Sequence, residues 1–329
     1  MLQNKYKKFG VVAIGRNEGI RLERCLAAVV NPAVLVVYVD SGSSDGSVAM
    51  ARSLGVSVVE LDMTTPFTAA RARNEGVTRL QELASGLDYI QFVDGDCEVA
   101  RHWLKQAVDF LDAQPQVAVV YGRCRERHPE HSIYNLMCDI EWNSPLGQAD
   151  SCGGNALVRA DAFAQVGGYR SSLIAGEEPE MCVRLRAVGW KIWRIDAEMV
   201  LHDAAMVKFS QWWRRSMRSG HAFAEGASLH GAPPEHFSVR STRRNWFWGL
   251  GLPIFIALVT ILYGAWGLAL ALIYPFQVMR LALRDRKSLP APWRHSLFLV
   301  IGRFSEMLGQ SKFIYSRLRG QATRLIEYK

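Results

Sequence analysis

The sequence predicts an α/β fold: a mostly parallel sheet flanked by helices, followed by C-terminal helices that associate with a membrane. Three observations predict it. Short runs rich in Val and Ile alternate with longer amphipathic runs over the first half of the chain, as in βαβ units. These short runs are almost continuously apolar, as in strands that are covered on both faces. Finally, 34 residues without a charge follow at 246–279.

The predicted elements follow one another in a regular order. Strands are expected at 9–14, 34–40, 56–61, 89–94 and 117–122, and helices at 19–30, 45–54, 66–83 and 101–111. Later elements are a helix at about 177–188, strands near 191–202 and a tryptophan-bearing amphipathic helix at about 207–225. Gly, Pro and Ser then concentrate at 226–242, which is typical of a linker. This pattern divides the chain into a domain (1–225), a linker (226–245) and a tail (246–329).

Charge is distributed unevenly between the two ends of the chain. Residues 1–203 carry 21 basic and 26 acidic side chains, whereas residues 204–329 carry 18 basic and 5 acidic ones. A basic segment binds either nucleic acid or an anionic membrane. Because this basic segment also holds the most apolar stretch of the protein, the composition favours an anionic membrane and disfavours nucleic acid.

The uncharged run at 246–279 predicts how the tail meets the membrane. A helix that crosses the hydrocarbon needs about 20 residues, so this run is too long for one upright span and too short for two. Basic residues flank it on both sides, with Arg243 and Arg244 before it and Arg280 after it. Since basic flanks stay in the cytoplasm, we expect a hairpin that turns near 263–267. A single tilted span is the alternative.

The remaining bulk features predict that residues 1–225 lie in the cytoplasm, at the inner membrane. The apolar start of the chain is interrupted by Arg16 and Glu18, so it is too short for a cleaved signal segment. The six cysteines show no C-x-x-C spacing, which predicts reduced thiols rather than a zinc site.

Acidic residues stand where two predicted strands end. Asp40 ends the second strand, and Asp94 ends the fourth and is followed by Gly95 and Asp96. Ligands of open parallel sheets bind beyond the carboxyl ends of the strands, so these acids point to one site. A divalent cation between Asp94 and Asp96 would cancel their repulsion. A solvated Asp-Gly-Asp turn is the alternative.

Four motifs in sequence order give these acids a context. They are VVAIGRNEGIRLERCL (11–26), VVYVDSGSSDGSVAMA (36–51), ARNEG (72–76) and YIQFVDGDCEV (89–99). Together they resemble the donor half of the family-2 glycosyltransferases, which have the GT-A fold, and the resemblance continues to about residue 225. It implies an inverting, membrane-associated enzyme that uses a nucleoside-diphosphate sugar.

The resemblance also implies a donor site. Asp40 would read the base of the nucleotide, and Asp45 would support the same pocket. One of Arg71 and Arg73, the latter being our candidate, would face the phosphates; the alternative is that both are charges on a helix surface.

A metal site follows from the same resemblance. Asp96 would be the main protein ligand of Mg²⁺ or Mn²⁺ at the diphosphate, and Asp94 would face the ribose or the metal. His202, after the strands near 191–202, resembles a histidine that many enzymes of this fold use as a second metal ligand. A purely structural histidine is the alternative.

Residues 174–193, IAGEEPEMCVRLRAVGWKIW, resemble the family segment that carries the general base. By position the base is Glu178, with Glu177 as the alternative because glutamate stands where aspartate is commoner. The positive end of the helix dipole would keep this carboxylate ionised at neutral pH. Taken alone, the acidic pattern with Pro179 is also an ordinary helix start.

Two further segments resemble parts of the acceptor site. The first is SCGGNALVRADAFAQVGGY (151–169), where Gly153, Gly154 and Asn155 would shape the pocket. The second is QWWRRSMRSG (211–220), where Gln211 and Arg214 match a motif of membrane-bound sugar polymerases, but Arg215 replaces the tryptophan of that motif. This departure and the few apolar spans predict transfer of a single sugar. The second segment fits equally well an interfacial helix whose tryptophans lie at headgroup depth.

The sequence therefore predicts metal-dependent, inverting transfer of one sugar to an acceptor that is lipid-linked or a glycan. Two alternatives remain open: a nucleotidyltransferase that makes nucleotide-sugars, and a non-catalytic membrane scaffold of the same fold. A Rossmann dehydrogenase is disfavoured because no G-x-G-x-x-G motif follows the first strand.

Overall fold

A computed structural model describes residues 9–31, 34–320 and 326–327. The chain forms two compact units. The first contains residues up to 129, 141–173 and 177–205, and the second contains 130–140, 174–176 and the residues from 206 onward. The last part of the predicted tail, 321–325 and 328–329, lies outside the described residues. The division falls near residue 206 and not at 225, because the helix that follows belongs with the C-terminal helices.

The first unit is built on a sheet of nine strands. In sheet order eight of them run β3-β2-β1-β4-β8-β6-β9-β5, and β7 pairs with β9. Their bounds are β1 Phe9–Gly15, β2 Leu35–Asp40, β3 Ser57–Glu60, β4 Tyr89–Asp94, β5 Cys97–Val99, β6 Val117–Glu126, β7 Gly147–Ala149, β8 Ala156–Arg159 and β9 Lys191–His202.

The sheet is parallel in its first half and mixed beyond it. Strands β3, β2, β1 and β4 pair in parallel, and so do β6 and β9. The short strands β5, β7 and β8 form only antiparallel pairs. The five strands predicted over 9–122 are confirmed. The short strands escaped prediction because three or four residues carry too little periodicity.

Helices of the first unit cover this sheet. The four helices predicted over 19–111 are present, together with two later ones: α1 Ile20–Val29, α2 Ser47–Ser53, α3 Ala69–Leu83, α4 Trp103–Ala113, α6 Ala160–Gln165 and α7 Glu177–Ala187. The central strands are fully buried at Val11, Val12, Val37 and Val39. This burial explains their continuous apolar runs.

The second unit is helical. Its helices are α5 Ile133–Glu141, α8 Phe209–His230, α9 Val239–Trp246, α10 Leu252–Tyr263, α11 Ile273–Asp285 and α12 Pro292–Leu318. The predicted linker at 226–245 is thus mostly helical. Helix α8 continues through Gly226, because a single glycine only weakens a helix, and the Gly-Pro cluster at 231–234 marks the actual break.

Trp212 on α8 belongs to the core of the second unit. Its ring packs edge-on against Phe298 at 4.9 Å between centroids and stacks with Tyr134 at 6.3 Å. Trp212 is buried. The alternative that placed this side chain at lipid headgroup depth is therefore wrong, because α12 and α5 supply aromatic partners that the local sequence does not reveal.

The apolar run reverses direction at Gly264. Helix α10 ends at Tyr263, Gly264 has a φ of 72°, and a 3₁₀ helix, Gly264–Leu272, then leads into α11. The returning segment packs so closely on α10 that a Cβ atom at Gly267 would lie 2.5 Å from the Thr260 nitrogen. The Tyr274 hydroxyl donates a hydrogen bond to the Trp248 carbonyl at 2.8 Å, which joins the two arms.

One helical stretch among the described residues is long and apolar enough to cross a membrane. It covers Val239–Asp285 and includes an 18-residue window with a mean hydropathy of 2.2, of which 11% is buried. The core helix of a soluble protein passes the same test of length and composition but is mostly buried. The low burial argues against that explanation here.

Candidate active site

The carboxyl ends of β1, β2 and β4 bring the predicted acids to one edge of the sheet. Gly15 of β1 pairs with Asp40, and Ile14 of the same strand pairs with Asp94. Asp40 and Asp94 therefore end the two strands that flank β1. This is the edge at which parallel sheets bind ligands, as the sequence predicted.

Asp40 is the most enclosed of these acids. One carboxylate oxygen accepts a hydrogen bond from the Tyr38 hydroxyl at 2.9 Å. The other accepts from the backbone N–H groups of Gly42 at 3.0 Å and Ser43 at 2.7 Å. Asp40 is buried, so the carboxylate shapes the loop after β2 and is not presented as a free group. The predicted contact of Asp40 with the base of a nucleotide would thus come through the loop that this carboxylate holds.

Arg73 of α3 joins three carboxylates. Its Nη2 lies 2.9 Å from Asp94 Oδ1, and its Nη1 lies 2.8 Å from both Glu177 Oε1 and Glu178 Oε1. The Arg73 side chain is only 3% exposed. The alternative that treated Arg73 as a helix-surface charge is therefore wrong. One guanidinium brings the acid that ends β4 together with the candidate base at the start of α7.

Glu178 is poised to exchange a proton near neutral pH. Burial raises its pKa from 4.5 to about 7, and the like charges of Glu177 and Asp94 add to the rise, while Arg73 opposes it. The expectation that the helix dipole keeps this group ionised is therefore not met, because desolvation and neighbouring carboxylates outweigh it. Its side chain is 13% exposed and that of Glu177 is 4% exposed, which makes Glu178 the more accessible of the two.

Asp96 and His202 form a candidate cation site. His202 Nε2 lies 3.4 Å from Asp96 Oδ1, and the ligand atoms of Asp96, Cys97 and His202 all lie within 4.8 Å of one another. A carboxylate oxygen suits Mg²⁺ and Mn²⁺ alike, whereas the imidazole, as the softer ligand, favours Mn²⁺ of the two. Burial raises the pKa of the Cys97 thiol well above its usual range, so this sulfur stays protonated and is a poor ligand for a hard ion. The residues present thus fit such a cation.

Asp94, which the sequence predicted to face the ribose or the metal, does not join this ligand group. Its carboxylate pairs with Arg73, and its backbone N–H donates to Asn155 Oδ1 at 3.1 Å. The two repelling acids of the Asp-Gly-Asp motif thus have separate partners, Arg73 for Asp94 and His202 for Asp96. Asn155, predicted in the acceptor pocket, is buried and holds the backbone of Asp94.

Gly154 fits against the Arg73–Asp94 pair. A Cβ atom there would lie 2.5 Å from Arg73 Nη2 and 2.7 Å from Asp94 Oδ2, whereas one at Gly153 would meet no atom within 4 Å. We expect Gly154→Ala to push the pair apart, to cost about 1–3 kcal/mol of overpacking and to lower turnover sharply. Gly153→Ala is the matched control, and comparable turnover of the two variants would contradict this packing. Turnover and melting temperature of both variants provide the measurement.

The other predicted residues are exposed or have local partners. Asp45 is exposed and accepts a hydrogen bond from the Ser47 backbone at 2.9 Å. The side chain of Ser47, and to a smaller extent its backbone N–H, lower the pKa of Asp45. Gln211 Oε1 accepts from the backbone N–H groups of Val207 at 3.0 Å and Lys208 at 2.9 Å, so it caps the start of α8. Arg214 is exposed on the same helix of the second unit.

Two residues near His202 were missed by sequence reasoning. Glu126 Oε2 lies 3.6 Å from His202 Nδ1, and the Trp142 ring lies 4.4 Å from the imidazole between centroids. Glu126 has only a weak signal in the sequence: it is an acid at the end of a strand, but Arg123 and Arg125 interrupt the apolar run before it. Trp142 lies in a loop and has no such signal.

Comparisons with known proteins agree with this geometry. The profile of Glycosyl transferase family 2 matches residues 11–167. The succinoglycan biosynthesis protein ExoA of Rhizobium meliloti is 29% identical over 182 residues, which cover 51% of this chain and 53% of ExoA. The glycosyltransferase AglE of Haloferax volcanii is 25% identical over 189 residues, 54% of this chain and 60% of AglE. The chain thus matches little more than half the length of these curated relatives.

Among solved structures, a mannosyltransferase from Pyrobaculum calidifontis in complex with GDP-Man and Mn²⁺ has the same fold. The two structures superpose with a TM-score of 0.60 at 18% identity, over 95% of this chain and 89% of the other. The family match covers β1 to β4, the Asp-Gly-Asp motif and Gly154. Residues 11–167 thus match a Glycosyl transferase family 2 domain, and the sheet is of the GT-A type.

Proposed function

We propose that the protein transfers one sugar from a nucleoside-diphosphate sugar to an acceptor hydroxyl, with inversion at the anomeric carbon and with help from Mg²⁺ or Mn²⁺. The observation that carries this proposal is the Arg73 cluster, which holds Glu178 and Asp94 on one guanidinium at the donor edge of the sheet. A base beside the donor site is what direct displacement requires.

Glu178 would act as the base. Its ionised carboxylate takes the proton of the acceptor hydroxyl as that oxygen attacks the anomeric carbon, and the bond to the diphosphate oxygen breaks. A pKa of about 7 suits this role, because a base works best when its pKa lies near the working pH. Arg73 keeps the carboxylate in place, and Glu177 adds the negative charge that makes Glu178 a stronger base.

Asp96 and His202 would hold the cation, one through a carboxylate oxygen and the other through Nε2. A divalent ion there neutralises the charge that develops on the departing diphosphate. The neighbouring structure with GDP-Man and Mn²⁺ supports both the type of donor and the type of ion. At 18% identity, that structure supports a nucleoside-diphosphate sugar as the class of donor and not a particular nucleobase or sugar.

The tail supports an acceptor at a membrane, namely a lipid-linked sugar or a glycan on the cytoplasmic face of the inner membrane. Exposed apolar side chains line the hairpin formed by α10 and the segment 264–272, and basic residues lie at both of its ends. Basic flanks favour the cytoplasmic side and attract anionic lipid. Both ends of the hairpin would then lie on the side where nucleotide-sugars are found.

A charge in the hairpin is expected to release the protein from membranes. Ile261 is 78% exposed and Leu262 is 72% exposed. Because an aspartate within the hydrocarbon costs about 2.5–3.5 kcal/mol, Ile261→Asp with Leu262→Asp should strongly reduce co-sedimentation with vesicles that contain phosphatidylglycerol. Val188→Asp, an exposed apolar residue of the first unit, is the control. Equal co-sedimentation of both variants would contradict membrane insertion of the hairpin.

Thermal-shift measurements test the donor class and separate it from the alternatives. A ligand that binds only the folded protein raises the apparent stability of that protein. In the presence of Mn²⁺, one nucleoside diphosphate should therefore raise the melting temperature. A nucleotidyltransferase would respond to a nucleoside triphosphate with a sugar phosphate and would release pyrophosphate. A scaffold would show no shift with any nucleotide, and either result would overturn the proposed function.

A further inference from the structure

His202 lies between two acids on neighbouring strands. The sheet order places β9 between β6 and β5, and the register pairs His202 with Glu126 on β6 and with Cys97 on β5. Asp96 directly precedes Cys97. The strand pairing therefore fixes a row of three side chains, Glu126, His202 and Asp96, with the imidazole in the middle.

The two ring nitrogens of His202 face different acids. Nε2 lies 3.4 Å from Asp96 Oδ1, and Nδ1 lies 3.6 Å from Glu126 Oε2. Nδ1 is buried and has no hydrogen-bond partner within the part of the chain that the structure describes. At 3.6 Å this contact is longer than a hydrogen bond, and a rotation of the ring or of the glutamate would close it.

Glu126 is held rigidly in its position. Only 1% of this residue is exposed, and its carboxylate accepts hydrogen bonds from the backbone N–H groups of His128 at 3.2 Å and Ala204 at 3.1 Å. Both donors are backbone N–H groups that follow the ends of β6 and β9. When the Nε2 lone pair is on a cation, the proton of a neutral imidazole is on Nδ1, where this buried carboxylate can accept it.

We propose that Glu126 is a positioning residue for the cation site. It keeps the proton of a neutral His202 on Nδ1, so that the lone pair of Nε2 points toward Asp96 and the cation. Histidines that bind metals commonly donate their other N–H to a carboxylate, which fixes the tautomer and strengthens the ligand. Trp142, packed on the imidazole, limits its rotation. The inference rests on the proposed cation site but concerns a residue outside it.

Direct Mn²⁺ binding, followed by electron paramagnetic resonance without donor or acceptor, tests the proposal. Glu126→Gln keeps the size of the side chain but lacks the charge, and its single oxygen can accept only one of the two backbone hydrogen bonds. We expect Mn²⁺ affinity to fall about 10- to 100-fold. The melting temperature, measured alongside, reports the cost of the lost hydrogen bond separately. The control is Glu198→Gln, an exposed acid on β9 that pairs with Arg125 and should leave Mn²⁺ affinity unchanged.

A double-mutant comparison separates positioning from a general loss of structure. In the background of His202→Ala, Glu126→Gln should weaken Mn²⁺ binding no further, because the residue acts through His202. Unchanged Mn²⁺ affinity of Glu126→Gln in the presence of His202, or a further loss of affinity in the His202→Ala background, would overturn the inference alone. A wild type that does not bind Mn²⁺ would overturn the cation site as well.

Discussion

Replacing Asp96 with alanine is expected to lower sugar transfer by roughly 10³-fold. The carboxylate lies 3.4 Å from His202 Nε2 and is one of two groups that suit a divalent ion at the donor edge of the sheet. Loss of a bound cation removes several kcal/mol of stabilisation from the departing diphosphate, and each 1.4 kcal/mol or so is tenfold in rate. Turnover at saturating Mn²⁺, measured alongside Mn²⁺ affinity, provides the test.

Asp109→Ala is the matched control for this substitution. Asp109 is an exposed acid on α4 that pairs with Lys105, so its removal should leave both turnover and Mn²⁺ affinity close to those of the wild type. An Asp96→Ala protein that retains full turnover would exclude the proposed role of this carboxylate.

Glu178→Gln is expected to reduce kcat by about 10²- to 10⁴-fold, the range typical of a lost general base. The substitution keeps the shape of the side chain, but the amide cannot take the proton of the acceptor hydroxyl. Nucleotide binding, followed by the thermal shift with Mn²⁺, should persist because the donor edge of the sheet is unchanged. Equal kcat of Glu178→Gln and the wild type would contradict this assignment.

The pH dependence of the wild type gives a second view of the same residue. The carboxylate works as a base only when it is ionised, so kcat should rise with pH up to about 7 and then level off. Glu177→Gln removes a like charge that raises the pKa of Glu178, so the rising limb should move to lower pH. If Glu177→Gln abolishes transfer while Glu178→Gln retains it, the base is Glu177.

The acids at the sheet edge were accessible to sequence reasoning because strand ends are local features. An apolar run of five or six residues that ends in Asp identifies both the strand and the edge, and this holds for Asp40 and Asp94 alike. The candidate base Glu178 was reached differently, through the resemblance of residues 174–193 to a family segment. The sequence order of these elements was sufficient to predict the fold class.

The burial of Arg73 could have been predicted from the sequence, but its partners could not. The buried face of α3 includes Ala70, Val77 and Leu80, and Arg73 falls on the same face at helical spacing. A charge on an apolar face predicts a buried partner. The identity of that partner depends on α7, about 100 residues further along the chain, and only the folded structure brings the two together.

The pKa of Glu178 could not be predicted from the local sequence. A helix start favours an ionised carboxylate, but the pKa here is set by burial and by Glu177 and Asp94, which are brought close through Arg73.

Gln211 is a second residue whose environment could not be predicted from its motif. Its match to a polymerase motif suggested contact with an acceptor, whereas its oxygen caps the helix on which it lies.

The central claim is that Asp96 and His202 hold a cation at the donor edge of the sheet. Its most direct test is to locate Mn²⁺ by anomalous scattering in crystals grown with Mn²⁺ and GDP or UDP. We expect the ion bonded to an Asp96 oxygen and to His202 Nε2, with the diphosphate beside it and Glu178 on the opposite side of the donor site. An ion bound elsewhere, with Asp96 and His202 contacting neither metal nor nucleotide, would contradict the account.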